Sequence, residues 1–335
     1  MKIAPIVVVS LVAALAACGG KSKSTPLAPL PDDSKSAAAP PKEAQAPAEP
    51  PAPVEEEEPP PPMPTGPVEV KIPAQQTTVK LVEKGKGKLA PLRYSGKAGG
   101  KQQVELALDF GSTETLGSET HETVIPTIVL VGEAETKAID KAGRADYAIT
   151  VSGTDARAVQ GARVKPEELK VMLGSLAGLV IGGSVGSNGT AGEVTMRVEK
   201  PDRLTEGALE MIRLTMPVLP LLPAEPVGVG AKWQTTATTK LADKIVVTQV
   251  TDYELVAAKG TTWSIKGKTA VTGSDQELHG GKISNIRGTG TSELTLAAGA
   301  LYPTYKTSLV TQFTASEKDQ SMALALRVGS AVTAK

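Results

Sequence analysis

Apolar and polar residues alternate along much of the chain. Val104, Leu106, Leu108 and Phe110 alternate with Glu105, Ala107 and Asp109, and Tyr147, Ile149 and Val151 with Asp146, Ala148 and Thr150. The same rhythm carries Val194, Met196 and Val198, then Tyr305 to Phe313, then Met322 to Val328. A period of two places one face in a core and the other in water, the habit of antiparallel strands. Glycines at Gly99-Gly100, Gly143, Gly260, Gly280-Gly281 and Gly299 punctuate the runs and predict hairpins with fairly long strands. Two of these, Thr127 to Gly153 and Val246 to Gly273, look loosely alike. They fit a duplicated half-domain or two generic hairpins, the latter being the plainer reading.

Two segments break the alternation. Pro166, Glu167 and Glu168 suit a first helical turn, because proline is tolerated there and carboxylates complement the helix dipole. Leu169 to Ile181 then runs apolar nearly all round, which predicts a helix buried on most sides. A second helix is expected to start with Thr205 as N-cap, to carry Leu209, Ile212 and Met216 on one stripe, and to stop at Pro217. Val218 to Pro226 is apolar but proline-broken and should be an extended cover strip. Gly228 and Gly230 then lead into a strand carrying Trp233. The expected fold is mainly β (α+β): one large, strongly curved antiparallel sheet or incomplete barrel, with two helices on its concave face.

The N-terminus sets the expected address. Lys2 precedes an uncharged, mostly apolar stretch from Ile3 to Ala14, too short for a membrane span, which needs about 20 apolar residues. Leu15-Ala16-Ala17-Cys18 follows and resembles the lipobox of bacterial lipoproteins. That resemblance implies a signal peptide over 1–17, cleavage before Cys18, diacylglycerol on its thiol and acylation of the new amine. Cys18 is then the lipidation site and membrane anchor, and Gly19 after it implies the outer rather than the inner membrane. Residues 18–67 are rich in Pro, Ala, Ser, Lys and Glu, with four consecutive glutamates from Glu55 to Glu58. Such a segment buries too little apolar surface to offset chain entropy, so a disordered stalk is expected, followed by a single folded domain over 68–335. The element order and the address together resemble the lipoprotein carriers of lipoproteins and lipids. Their half-barrels hold acyl chains under helical lids, which implies a non-catalytic protein with a lipid or other hydrophobic ligand.

Composition removes several chemistries. Cys18 is the only cysteine, so no internal disulfide, Cys/His zinc site or cysteine nucleophile is available. The 36 basic and 36 acidic residues cancel, and aromatics make up 3% of the chain. Neither nucleic acid nor stacked sugars are therefore expected partners. No cofactor or metal is expected.

The candidate sites are few. Gly174, Gly178 and Gly182 repeat every fourth residue and, with Leu176 and Leu179, form a candidate ligand or packing face. It fits a lipid-contacting helix or, more plainly, tight helix-on-sheet packing. The glycine-rich run Gly182 to Gly189 lacks the strand-before, helix-after setting of a phosphate cradle. His121, with Glu119 and Glu122 nearby, and His279 are the two histidines, and solvated turn positions suit both. A structural or protein-interaction module on a stalk is the alternative function, with an enzyme the remaining class.

Overall fold

The computed structural model describes residues 66–216, 218–241, 244–278, 280–318 and 320–334, within the compact unit Met63–Lys335. The signal segment, Cys18, all but the last two residues of the expected stalk, Pro217 and His279 lie outside the described residues.

The chain opens with three short strands, β1 (Val68–Ile72), β2 (Thr77–Glu83) and β3 (Lys86–Ala90). A meander follows: β4 (Lys101–Leu116), β5 (Glu119–Val124), β6 (Thr127–Ile139) and β7 (Ala145–Arg157). Helix α1 (Pro166–Met172) continues into a 3-10 turn at Leu173–Leu176, then come β8 (Val180–Val185), β9 (Ala191–Val198) and helix α2 (Thr205–Thr215). The second half is all strand: β10 (Val227–Val229), β11 (Lys232–Leu241), β12 (Ile245–Lys259), β13 (Thr262–Thr272), β14 (Gln276–Leu278), β15 (Gly281–Ala297), β16 (Thr304–Glu317) and β17 (Gln320–Ala334). Among the described residues no helix is long and apolar enough to cross a membrane.

The alternating runs became strands of one 15-stranded antiparallel sheet: thirteen in the order β1-β9-β8-β7-β6-β4-β17-β16-β15-β13-β12-β11-β2, with β5 added on β4 and β14 on β15, while β3 and β10 pair separately. Both expected hairpins form, as β6 with β7 and β12 with β13. The sheet does not close into a hydrogen-bonded barrel, because β1 and β2 are its two edges. These edges are nevertheless consecutive in sequence. Twelve antiparallel steps separate them, so they run in the same direction. A flat sheet would hold them about 58 Å apart at roughly 4.8 Å per step. The link from Ile72 to Thr77 reaches at most about 18 Å. The sheet therefore cannot be flat.

Two expectations need correction. The first helix does not extend to Ile181: it gives way at Leu173, and Val180–Val185 is strand β8, paired with β7 and β9. Gly178 sits at φ +85°, a backbone state that ends helices and suits glycine. Beyond it, the β-branched Val180, Ile181 and Val185 favour strand, and Gly182 and Gly183 disfavour helix. Gly174, Gly178 and Gly182 thus do not share a helical face. The second correction is small. Leu204, not Thr205, is the N-cap of α2, while the buried Thr205 hydroxyl accepts from the Asp202 amide at 2.8 Å. Helix α2 ends one residue short of the expected stripe, since Met216 has already left the helix, at φ −58° and ψ 123°, a conformation favoured before proline.

The core is built from inward-facing strand residues. Trp233 is buried and stacks on Tyr253 with ring centroids 5.5 Å apart, and its indole donates to the Leu221 carbonyl at 2.9 Å. A neighbouring cluster joins Val104, Ala134, Ala145, Val185, Leu301 and Tyr302. Helix α2 buries Ala208, Leu209, Met211 and Ile212 and packs on β1, β4 and β17.

Candidate functional site

The register of the sheet puts one apolar row after another on a single face. Val194 of β9 pairs with Gly183 of β8, which pairs with Tyr147 of β7. Further along, Gly132 of β6 pairs with Val104 of β4, and Leu106 with Val332 of β17, which pairs with Tyr305 of β16. This face, from Ile72 on β1 to Tyr305 on β16, borders a partly enclosed cavity of about 180 Å³. Its other wall comes from Arg213 and Met216 at the end of α2, from Val218 and Leu219 of the cover strip, and from Tyr302.

The lining is overwhelmingly apolar: Ile149, Val151, Ile181, Val185 and Leu130 complete it from the central strands. The polar side chains are three tyrosines, Gln75 and Arg213. Burial pushes the Tyr147 phenol up to about 12, and drives Tyr302 well above its ordinary value. Burial also raises Tyr305. The wall therefore stays neutral at physiological pH except at Arg213. The Tyr302 hydroxyl is buried against the Tyr147 phenol, while its backbone is held from both sides by the Gln102 amide, at 3.2 and 3.3 Å. Arg213 is only 13% exposed and pairs with Glu210 through two bonds, Nε to Oε2 at 2.6 Å and Nη2 to Oε1 at 2.5 Å.

Of the residues singled out from sequence, none of Gly174, Gly178, Gly182, Leu176 and Leu179 lines this cavity. Leu176 and Leu179 are fully buried beside β7, where Gly178 and Leu179 exchange backbone hydrogen bonds with Val151 at 2.9 and 2.8 Å. Gly174 and Gly178 have open space where a side chain would project. His121 lies on β5, exposed, its Nε2 3.9 Å from Glu119, while Glu122 pairs with Arg327. Among the described residues no group of three or more His, Cys, Asp or Glu could hold a metal ion. The run Gly182-Gly183-Ser184-Val185-Gly186 has the Gly-x-Ser-x-Gly spacing of a nucleophile elbow, which needs a strand-to-helix turn. Ser184 instead lies within β8, its hydroxyl accepting from Arg144 Nη1 at 2.7 Å, and β9 follows.

The cavity-lining residues carry no motif. Their signal in sequence was only the apolar phase of strands already recognised, and which strands meet was not legible. No protein-family model matches the chain, and no curated protein matches it.

Proposed function

We propose that this protein is a non-catalytic, lipid-anchored lipoprotein of the bacterial envelope, tethered through Cys18, most consistently in the outer membrane. In this reading it holds a hydrophobic ligand, an acyl chain of a lipid, between the concave face of its sheet and α2. The observation that carries the reading is the apolar cavity itself. Protein interiors are close-packed, so an apolar cavity of about 180 Å³ is a place where an apolar ligand gains packing contacts that water does not supply.

Three features support the incomplete barrel with its helices inside. The four-residue link draws β1 and β2 together. Helix α2 packs on the edge strand β1 and also on the neighbouring pair β4 and β17, which lie several strands away in the sheet order but within reach of one helix across a curved sheet. Gly132 on the cavity face and Gly288 on β15 stand where a Cβ would lie 2.3 and 2.6 Å from a neighbouring strand's carbonyl oxygen, which suits a bent sheet. A ring of this size is wider than the eight-stranded barrels that side chains alone can fill, leaving room for a helix and a ligand.

The test is extraction of the full chain, purified gently from bacterial envelopes, followed by mass spectrometry of non-covalent lipid. Near one lipid per protein, lost in the cavity-filling Val194→Trp variant, is the expected result. A folded, lipid-free protein whose pull-downs return a stoichiometric protein partner would replace this reading with that of an interaction module.

A further inference from the structure

The charge on the cavity rim is already matched, and this bears on what the cavity accepts. Resting on the apolar-ligand reading above, we infer that the cavity takes a single-chain amphiphile tail first, with an uncharged polar head at the rim. Glu210 sets that selectivity by neutralising Arg213.

Size limits the tail. An apolar cavity of about 150 Å³ holds one benzene, so about 180 Å³ takes one ring or roughly six carbons of a chain, not several chains side by side. The head is limited by the rim. Arg213 borders the cavity from the last turn of α2, and Glu210, one turn earlier, holds one edge of its guanidinium through Nε and Nη2. A carboxylate or phosphate head arriving there loses hydration, finds the Nε–Nη2 edge engaged and meets the Glu210 carboxylate as a like charge. A hydroxyl, ester or amide head pays little of this and needs only a neutral partner. Gln75, exposed on the rim with its Nε2 3.4 Å from the Thr239 hydroxyl, supplies an amide.

The probes are 1-hexanol and hexanoate, titrated into the full chain at neutral pH and followed by ligand-observed NMR. The wild type should bind hexanol at least about tenfold more tightly than hexanoate. Glu210→Gln keeps the shape but removes the neutralising charge, and should raise hexanoate affinity about tenfold while leaving hexanol within about twofold. Glu210→Ala should do the same, and Val194→Trp should abolish both. Equal wild-type affinity for the two probes overturns the inference, as does a Glu210 variant that leaves hexanoate unchanged while hexanol still binds; in both cases the apolar-ligand reading survives. If neither probe binds the wild type, the apolar-ligand reading fails and this inference falls with it.

Discussion

Tyr147 and Tyr302 meet edge to face on the cavity wall, ring centroids 5.6 Å apart and planes at 88°. The contact joins β7 to the turn before β16, distant in sequence, and both rings belong to the one apolar lining. Such T-shaped pairs add about 1 kcal/mol beyond the area they bury.

Burial of these phenols gives a pH dependence with a definite sign. Tyr147 is pushed from its ordinary value of 10.0 up to about 12, and the other four tyrosines are raised too, each chiefly by burial. The folded chain holds these protons more tightly than the unfolded one. Stability is therefore fully present below about pH 10 and falls as pH rises towards about 12, with Tyr147 alone contributing up to about 3 kcal/mol. Phenolate absorbance should stay flat through pH 10 in the folded protein and rise together with loss of β-sheet circular dichroism. Independent titration of tyrosines near 10 in a folded chain would contradict this.

Tyr302→Phe removes a buried hydroxyl that faces the Tyr147 phenol and leaves the ring in place. Loss of that buried polar contact should lower stability by about 1 kcal/mol. Urea unfolding of the two proteins, with matched slopes, measures the difference.

Two glycines should behave oppositely. A Cβ on Gly132 would lie 2.3 Å from the Thr150 carbonyl oxygen, across the β6–β7 ladder, so Gly132→Ala should cost about 3 kcal/mol. Gly174 has open space around it and no positive φ, so Gly174→Ala should be neutral or stabilising by about 0.5 kcal/mol. Thermal unfolding of both variants ranks them.

Leu209 tests how α2 is held. It is fully buried in a helix that packs on three strands, so Leu209→Ala should cost about 3 kcal/mol. The expected sign is a lower urea midpoint at unchanged slope.

The strands were legible because their alternation is local. Val104, Leu106 and Leu108 announce a half-buried strand whatever lies beside it. Val180 to Val185 was not legible, since a short apolar run fits a buried strand and a buried helix equally until its neighbours are known. The cavity was less legible still. Ile72, Tyr147, Met216 and Tyr302 line it from four separate parts of the chain, and no local pattern distinguishes an apolar residue facing a void from one facing a packed neighbour. What local chemistry did mark, the glycine spacing at Gly174, Gly178 and Gly182, belongs to a turn docked on β7 and to the strand after it.

The link between β1 and β2 also defines how the fold carries mechanical load. Tension applied at Val68 enters an edge strand of five residues that is hydrogen-bonded to β9 alone. An edge strand peels one hydrogen-bonded pair at a time and yields at lower force than a strand sheared along its length. The first strand to peel carries Ile72, a cavity residue, and is one of the three on which α2 rests. A pull on the start of β1 therefore reaches the cavity wall before it reaches the core around Trp233.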